Sequence, residues 1–431
     1  MTGPAPTVLA LAADQPTRPL LVVGEQVVTW GSAWEAAQAV SKALSATGHA
    51  LGVVGTPDVL LTGLLAGSAS SARVLLLPDS PSDERIAELG LSALLTDTGL
   101  RQVGESPGHA PGVVVFTSGT TGVPKAAIHT WPSLMARVRV RDELAGIPWL
   151  VPYSLRAYAG LQVLLHALAN GGSAVVSTGS PGEAASVAAE HGITYLTGTP
   201  TFFRFLLATA PREAMDALKP VQITLGGEAV DQPLLDRLTA RFPGARVGHI
   251  YASTELGACF SVHDGRAGFP AAWLDDTTRA IGLTCRDGEL YVRSERGMQG
   301  YLSNESAAAE DGWFATGDHL AITGDRAVFV GRASERINVG GAKVYPGEVE
   351  DVLRQVPGVV AVRVSGISSS LAGQLVQAEL VAESGADTRA LRRTVLGYAR
   401  EHLQPHMVPR RLVWVDTLEQ NASGKLNRRT S

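Results

Sequence analysis

Short apolar runs alternate with helix-like segments over roughly the first 250 residues, and this alternation constrains the fold more than any other feature of the sequence. Residues 20–23 and 27–29 are apolar runs on either side of Gly-Glu-Gln and predict a β-hairpin. Residues 32–48 are amphipathic, with a serine at the start and a glycine past the end of the repeat, and predict a helix. Because strands that alternate with helices pair in parallel through right-handed crossovers, the pattern predicts an α/β sheet.

The sequence changes character twice after this α/β region. Between about residue 250 and Arg332, short strand-like pieces separated by turn residues predict a smaller β-rich part. Roughly the last hundred residues contain helices and strands with an apolar face of their own, which predicts a compact α+β unit. We therefore expect a large N-terminal domain at residues 1–332, made of stacked α/β sheets plus the β-rich part, and a small mobile α+β C-terminal domain at residues 333–431.

Composition excludes several classes of function. With 45% hydrophobic residues in a chain of 431, the protein can fill real cores, so disorder is not expected. Lys and Arg number 36 against 41 Asp and Glu, a net charge of −5 that does not favour nucleic acid or an anionic membrane. No positive residue precedes the first apolar run, and no stretch of about 18 uncharged apolar residues occurs, so we expect a cytoplasmic protein, monomer or homodimer, without nucleic-acid or membrane partners.

Familiar catalytic and metal-binding signatures are missing from the sequence. No nucleophile elbow of a hydrolase is predicted, and the sequence contains no G-x-G-x-x-G element of a dehydrogenase. Cys259 and Cys285 are too few for a disulfide framework or a zinc cluster and are expected to be small buried apolar residues. His402 and His406 have the spacing of helical metal ligands, but Pro405 between them breaks the helix that would align them.

The segment VVVFTSGTTGVPKAAIHT, residues 113–130, places hydroxyl and glycine residues directly after an apolar run. Backbone N–H groups and hydroxyls in such a turn form a concave surface of donors that suits phosphate oxygens, and the lysine adds a positive charge. A Walker loop is excluded by spacing, because a proline stands where its lysine-preceding glycine would be. The alternative is a surface turn of small polar residues. The candidate phosphate ligands are Thr117, Ser118, Gly119, Thr120, Thr121, Gly122 and Lys125.

Six motifs follow one another in a fixed order, and together they span residues 117–428. They are TSGTTGVPK at 117–125, GGEAV at 226–230, IYASTELG at 250–257, GYLSNESAAAEDGWFATGDHL at 300–320, GRASERINVGGAKVYPGEVE at 331–350 and ASGKLNR at 422–428. With these motifs the sequence resembles the adenylate-forming superfamily of acyl-CoA synthetases, standalone adenylation domains and luciferases. The resemblance implies a site for ATP and Mg²⁺, with coenzyme A or the phosphopantetheine of a carrier protein as the thiol.

The resemblance assigns roles to residues of the central motifs. It implies that the ring of Tyr251 stacks on adenine, a contact worth about 1–3 kcal/mol by analogy with base stacking elsewhere, although core filling is the alternative. It implies that the Thr254 hydroxyl meets the α-phosphate and that the Glu255 carboxylate holds Mg²⁺, a hard cation that prefers oxygen ligands. It further implies that Asp318 accepts both ribose hydroxyls and that Arg332 reaches the same sugar.

The resemblance also assigns Lys425, near the end of the chain, as the catalytic cation. In the family this lysine is carried by the small domain into the active site, where it neutralises charge at the α-phosphate. Gly227 and Glu228, from the second motif, are implied to contact the nucleotide. Gly340 and Gly341 match a glycine loop that lets a pantetheine arm approach after the small domain turns.

Departures from the family pattern concern the hinge and the acid pocket. Ser334 stands where the family usually has Asp or Lys at the hinge, which leaves rotation feasible but alters its energetics. In the stretch that gates the acid pocket in relatives, Tyr153, Arg156 and Tyr158 have shifted spacing, so the gating residue is left open. Arg156 pairs with a second acidic group of the substrate or is a surface arginine. No aspartate occurs between residues 152 and 164, which disfavours an α-amino acid.

The predicted function is therefore ATP-dependent activation of a small carboxylic acid through an acyl-adenylate, followed by thioester formation with coenzyme A. One alternative is a standalone adenylation enzyme that loads an aryl or acyl group onto an acyl carrier protein. Another is a nucleotide-binding relative that has lost the chemistry. An enzyme that activates an unusual acid such as nitrite, or that continues to oxygenation, would be a variant of the predicted ligase function.

Overall fold

The computed structural model of the chain describes residues 3–44, 50–105, 108–117, 125–303, 311–369, 373–421 and 424–426. The α-helices of these residues are α1 (Ala5–Asp14), α2 (Trp30–Leu44), α3 (Pro57–Ser70), α4 (Asp83–Glu88), α5 (Trp131–Met135), α6 (Tyr158–Ala169), α7 (Pro181–Glu190), α8 (Pro200–Thr209), α9 (Arg212–Ala217), α10 (Gln232–Arg241), α11 (Pro346–Leu353) and α12 (Thr388–His402). Short 3₁₀ turns cover Asp142–Leu144, Ala271–Trp273 and Ala333–Glu335.

The strands of the described residues belong to several sheets. They are β1 (Pro19–Val23), β2 (Gln26–Thr29), β3 (Ala50–Val53), β4 (Arg73–Leu76), β5 (Ala93–Thr96), β6 (Gly99–Gln102), β7 (Gly112–Thr117), β8 (Lys125–His129), β9 (Pro148–Val151), β10 (Ser173–Val176), β11 (Tyr195–Gly198), β12 (Gln222–Gly226), β13 (Arg246–Ser253), β14 (Gly257–Val262), β15 (Phe269–Pro270), β16 (Gly282–Arg286), β17 (Glu289–Arg293), β18 (Gly300–Tyr301), β19 (Phe314–Thr323), β20 (Arg326–Arg332), β21 (Ile337–Val339), β22 (Ala342–Val344), β23 (Val359–Ser369), β24 (Gly373–Ala382) and β25 (Arg411–Trp414).

Three sheets form the predicted α/β region, with strand orders β2-β1-β10-β9, β11-β12-β13-β14 and β18-β8-β7-β4-β3-β5-β6. Their central strands pair in parallel, as in β3 with β4 and β12 with β13, whereas outer strands such as β8 and β14 pair antiparallel to their neighbours. Parallel strands require helical crossovers, and the intervening helices supply the buried apolar residues that cover the sheets. The α/β prediction and the hairpin of β1 and β2 are confirmed.

The helix predicted for residues 32–48 begins at Trp30, two residues earlier than expected. The backbone N–H of Ser32 donates to Thr29 Oγ1 at 3.2 Å, and the N–H of Thr29 donates to Ser32 Oγ at 3.0 Å. This reciprocal pair makes Thr29 the cap and puts Ser32 inside the first turn. Trp30 is thereby fully buried. The predicted end of the helix lies outside the described residues.

The β-rich part is an antiparallel sheet with the order β15-β20-β19-β17-β16. Its core contains Phe269, Leu290 and Val292, all fully buried. Strands β19 and β20 are neighbours, and their register sets Asp318 opposite Arg332. The sheet therefore brings together two residues from different motifs. Cys259 on the adjacent β14 is buried, as expected, whereas Cys285 on β16 is only partly buried.

The C-terminal unit is a sheet with the order β22-β21-β24-β23, to which β25 adds in parallel beside β24. Helices α11 and α12 cover it, and residues such as Val362, Leu380 and Val395 form its buried core. The hairpin of β21 and β22 was not predicted, because its turn is formed by Gly340 and Gly341, which were interpreted as a loop. Both glycines have positive φ, +58° and +89°, a conformation that side chains disfavour.

We propose that Arg332, the last residue of β20, ends the N-terminal domain. Residues up to Arg332 are called the large lobe below, and the remainder the small lobe. Across the described ranges of the chain, none of the helices has both the length and the apolar character needed to traverse a lipid bilayer.

Candidate active site

A cavity of about 720 Å³ lies between the two lobes, a volume in the range of small-molecule and cofactor sites. The ends of β12 and β13, the strands β19 and β20, and the small lobe contribute its walls. Six of the residues singled out in the sequence line it together, namely Gly227, Glu228, Tyr251, Asp318, Arg332 and Lys425. The motifs that carry them are therefore brought to one place by the fold.

Asp318 lies at the centre of one wall and accepts hydrogen bonds on both carboxylate oxygens. Tyr251 Oη donates to Asp318 Oδ2 at 2.6 Å, and Arg332 Nε donates to Asp318 Oδ1 at 2.8 Å. The negative charge of Asp318 raises the pKa of Arg332. Burial, together with the nearby Asp318, raises the pKa of Tyr251, which stays a neutral donor. Each carboxylate oxygen has two acceptor positions, so Asp318 keeps capacity for two further donors such as vicinal hydroxyls.

The ring of Tyr251 is part of an aromatic stack. Its centroid lies 5.3 Å from that of Phe260 and 5.0 Å from that of Phe329, with interplanar angles of 18° and 10°. Phe260 is its cross-strand neighbour on β14, whereas Phe329 comes from β20. Tyr251 therefore packs against core residues, as the core-filling interpretation expects, and it also lines the cavity, while its stacking on adenine stays a prediction.

Lys425 enters the cavity from a segment of the small lobe that is held at two points. Thr199 Oγ1 donates to the carbonyl oxygen of Gly424 at 2.9 Å, and the N–H of Leu426 donates to Glu228 Oε1 at 2.8 Å. These contacts lie on either side of Lys425 in the chain, so they fix the backbone from which its side chain extends. The other carboxylate oxygen of Glu228 accepts from the N–H of Thr201 at 3.0 Å. Glu228 thus ties the lysine segment to the start of α8.

The side chain of Lys425 passes over Gly227. A Cβ at position 227 would lie 3.1 Å from Lys425 Cε, and Gly227 has a φ of +86°. The backbone conformation therefore favours glycine, and a Cβ at this position would also displace the lysine side chain by a few tenths of an ångström. Burial lowers the pKa of Lys425, and the positive charge of Arg332 acts in the same direction.

The turn that contains Thr254 and Glu255 follows β13 and is fastened by residues from other strands. Tyr301 Oη donates to Glu255 Oε1 at 3.1 Å, and the N–H of Met298 donates to the carbonyl oxygen of Glu255 at 2.8 Å. The ring of His129, at the end of β8, donates from Nε2 to the carbonyl oxygen of Thr254 at 2.7 Å. Burial lowers the pKa of His129 to about 4, which leaves the ring neutral near pH 7.

Tyr301 also contacts the lysine of the phosphate motif. Lys125 Nζ lies 5.0 Å from the centroid of the Tyr301 ring, because β18 pairs with β8 and sets Tyr301 opposite Ala127. Thr117 ends β7 and is the cross-strand partner of Lys125. The five predicted ligands between them, Ser118, Gly119, Thr120, Thr121 and Gly122, lie outside the described residues.

Sequence reasoning assigned no role to Tyr301 or His129. Both stand within quoted motifs, Tyr301 in GYLSN and His129 at the end of PKAAIH. Their position in these motifs was the only available signal, since the contacts with Glu255 and Thr254 depend on strand pairing. Thr199, which holds Gly424, lies in none of the motifs.

Gly340 and Gly341 are not brought to the cavity. They are exposed at the turn of β21 and β22, whereas Ser334, just after Arg332, does line it. In the acid-pocket stretch, Tyr153 and Tyr158 are buried core residues, and the Arg156 Nη2 group donates to the carbonyl oxygen of Gly55 at 2.7 Å. Arg156 is thus bonded within the large lobe.

The residues present fit a magnesium ion held together with a nucleotide. Within the described parts of the chain, no group of three or more His, Cys, Asp and Glu side chains could hold a metal ion alone. Mg²⁺ typically takes one or two carboxylates and completes its shell with phosphate oxygens and water. A single oriented carboxylate such as Glu255 satisfies that requirement.

Two family models match the chain in sequence. The model described as AMP-binding enzyme matches residues 56–302, and the model described as AMP-binding enzyme C-terminal domain matches residues 348–425. The chain belongs to the AMP-binding enzyme family. The resemblance to the adenylate-forming superfamily is thereby confirmed.

Relatives within the AMP-binding enzyme family include ligases of aromatic acids. The p-hydroxybenzoic acid–AMP ligase of Mycobacterium tuberculosis is 32% identical over 351 residues, which are 74% of this chain and 48% of that protein. The 4-chlorobenzoate–CoA ligase of an Arthrobacter species is 30% identical over 386 residues, 81% of this chain and 73% of that protein. The chain thus spans about half the length of the mycobacterial relative.

The fold is shared with solved structures of the AMP-binding enzyme family. A crystal structure of an anthranilate CoA ligase in complex with anthranoyl-AMP superposes with a TM-score of 0.76, covering 98% of this chain and 95% of that one. Sequence identity is 16%, so the comparison establishes the fold.

Proposed function

We propose that the chain activates an aromatic carboxylic acid of the benzoate type with ATP and transfers the acyl group to a thiol. The observation that carries this proposal is the position of Lys425, which lies in the same cavity as Asp318, Arg332 and Tyr251. The substrate class is supported by the named relatives, which act on p-hydroxybenzoate and 4-chlorobenzoate, and by the structural neighbour, which holds anthranoyl-AMP.

In the first half-reaction a carboxylate oxygen of the acid attacks the α-phosphorus of ATP, and the bond to pyrophosphate breaks. Negative charge grows on the oxygens of the α-phosphorus and on the leaving group. Lys425 supplies a cation held in place before the reaction, and preorganised charge of this kind contributes roughly 10²–10³ in rate. Asp318 accepts hydrogen bonds from the ribose hydroxyls and so fixes the nucleotide relative to Lys425.

The Glu255 carboxylate, oriented by Tyr301, would hold Mg²⁺ beside the phosphates. When bound, Mg²⁺ neutralises phosphate charge and polarises the P–O bonds. Thr254 lies in the same turn and would contact the α-phosphate, and Thr117 and Lys125 are paired on either side of the phosphate motif. These groups would then lie along one bound nucleotide.

In the second half-reaction a thiol attacks the acyl carbon, and the bond to AMP breaks. The Lys425 segment fills the space between Gly227 and Thr199, so the small lobe has to turn before a thiol can enter. We propose coenzyme A as the thiol, with Gly340 and Gly341 on the path of the pantetheine arm. A phosphopantetheinylated carrier protein is the alternative acceptor.

A pyrophosphate-release screen tests the proposed function. Benzoate, p-hydroxybenzoate, 4-chlorobenzoate, anthranilate and straight-chain acids are compared, each with coenzyme A, with a phosphopantetheinylated carrier protein, and with neither. We expect release to require an aromatic acid and thioester to form with coenzyme A. ATP binding without acid-dependent release would identify an inactive nucleotide-binding relative. Thioester formed only on the carrier protein would show that the acceptor is the carrier protein and not coenzyme A.

A further inference from the structure

A cluster of buried charges joins the two lobes beside the cavity. The large lobe contributes Arg204 from α8 and Asp231 from the start of α10, which form an ion pair. The small lobe contributes Glu350, Asp351 and Arg354 from α11 and the residue after it. Arg354 Nη1 lies 3.8 Å from Asp231 Oδ2, and this contact crosses between the lobes.

Each half of the cluster carries its own counter-charges. The side chains of Arg204 and Asp231 are each 7% exposed and pair within the large lobe. Arg354 Nη2 lies 2.7 Å from Glu350 Oε2 and its Nη1 lies 2.7 Å from Asp351 Oδ1. Burial would raise the pKa of Asp231, but Arg204 and Arg354 together keep it below its usual value. When the lobes separate, no buried charge loses its last partner, so opening avoids the large penalty of an unpaired buried ion.

The cluster is mechanically connected to both lobes. Glu350 Oε1 accepts from the N–H of Val364 at 2.9 Å, which ties α11 to β23 and hence to the sheet of the small lobe. Asp231 Oδ1 accepts from the N–H of Leu234 at 3.0 Å and caps α10. Asp231 and Arg354 are thus each bonded to secondary structure of their own lobe, so a change in their contact changes the orientation of the two lobes.

Helix α8 carries a second, apolar contact with the small lobe. Phe205, next to Arg204, is buried against Val360, Ala361 and Val381 of the small-lobe sheet. Thr199, which caps the same helix, holds the carbonyl oxygen of Gly424. One helix of the large lobe therefore contacts both the lysine segment and the body of the small lobe.

We propose that Arg204, Asp231 and Arg354 are positioning residues for adenylation. They hold the small lobe in the orientation that keeps Lys425 in the cavity, and they release it without leaving an unpaired charge when the lobe turns for thioester formation. This inference rests on the proposed function for its kinetic consequences, and on the geometry alone for the orientation of the lobes.

The test uses the double variant Glu350→Gln/Arg354→Met, which removes the crossing contact together with the fully buried charge of Glu350. Only Asp351, whose side chain is 39% exposed, is left without its arginine. The matched control is Arg363→Gln/Glu379→Gln. This variant removes an ion pair that lies wholly within the small lobe and whose side chains are 17% and 16% exposed. For the first variant we expect acid-dependent ATP–pyrophosphate exchange to fall about tenfold, while transfer from supplied acyl-adenylate to the thiol is unchanged or faster, a tenfold loss being about 1.4 kcal/mol. The control should leave the ratio of the two half-reactions unchanged.

A distance measurement separates this inference from the proposed function. Spin labels are attached at Arg212→Cys in the large lobe and Arg393→Cys in the small lobe, both exposed, with Cys285→Ser. We expect a narrow distance distribution with bound ATP, which broadens in Glu350→Gln/Arg354→Met and not in the control.

The possible outcomes separate the two proposals. If the wild type shows no exchange but the distance distribution broadens as expected in the double variant, only the proposed function fails. An unchanged distribution and unchanged exchange ratio would overturn the positioning role. Arg204→Met/Asp231→Asn, which still caps α10 and removes both charges of the large-lobe pair, is the second variant should the first not fold, and the same outcomes apply.

Discussion

Lys425 of the small lobe extends over Gly227 of the large lobe, and its Cε lies 3.1 Å from the point where a Cβ on residue 227 would stand. Because residue 227 has no side chain, nothing at that position could move aside if the lysine were displaced. The path of the Lys425 side chain thus depends on the absence of a side chain at residue 227.

Gly227→Ala is expected to displace Lys425 and to strain the backbone, since φ at this position is +86° and the left-handed region costs an ordinary residue roughly 1–2 kcal/mol. Acid-dependent ATP–pyrophosphate exchange should fall on the order of 10²-fold, with little change in transfer from supplied acyl-adenylate. Gly244→Ala is the matched control, because a Cβ there meets nothing within 4 Å. Equal losses in both half-reactions would show that the effect is general unfolding.

Lys425→Ala is expected to abolish carboxylate-dependent exchange, a loss of roughly 10²–10³, because it removes the cation at the α-phosphate. Transfer from supplied acyl-adenylate should be largely retained, since we propose that this step takes place with the lysine withdrawn. Lys219→Ala, an exposed lysine of the large lobe, provides the comparison. Near-normal exchange in Lys425→Ala would contradict the assignment.

Tyr301→Phe is expected to raise the Mg²⁺ concentration needed for half-maximal ATP binding about tenfold, because a hydrogen bond to a charged group contributes about 1.5–3 kcal/mol. The ring that faces Lys125 is retained in this variant. Tyr301→Leu should weaken ATP binding further, since the contact between Lys125 and the ring is lost as well. Calorimetric titration of ATP at several Mg²⁺ concentrations measures both effects. Identical behaviour of the two variants would assign the whole effect to the hydroxyl.

Acidification is expected to destabilise the large lobe through His129. Its pKa is about 4 in the folded protein and near 6.5 when exposed, so the unfolded state takes up the proton first as the pH falls through this window. The free energy of unfolding should therefore decrease by about 2 kcal/mol between pH 7.5 and pH 5 from this residue alone. Urea unfolding of His129→Gln, which does not titrate, should show a smaller decrease. A pH dependence equal to that of the wild type would exclude this role.

Six of the predicted nucleotide and catalytic residues line one cavity in the structure. Asp318 and Arg332 are opposite one another in β19 and β20, so their positions follow from strand pairing, whereas Tyr251 lies on β13 of another sheet and reaches Asp318 through its hydroxyl. The α/β fold followed from the alternation of elements. The assigned roles of these residues in binding ATP stay predictions.

Other features could not be predicted, because they depend on contacts between distant segments. Tyr301 acts on Glu255 only because the two-residue strand β18 pairs with β8. Glu228 proves to hold the lysine segment through Leu426, a backbone contact that has no sequence signal. The start of α2 was placed two residues late because Thr29, a strand residue by its neighbours, is also the helix cap.

Helix α8 meets the small lobe at two separate points: its cap residue Thr199 holds the Gly424 carbonyl, and Phe205 packs against the small-lobe sheet. A slight tilt of the small lobe would break one set of contacts while the other remained, and it would form no new contacts to compensate. Intermediate orientations should therefore be scarcely populated. Single-molecule traces would then show abrupt jumps between two levels, with dwell times set by a barrier, instead of gradual drift.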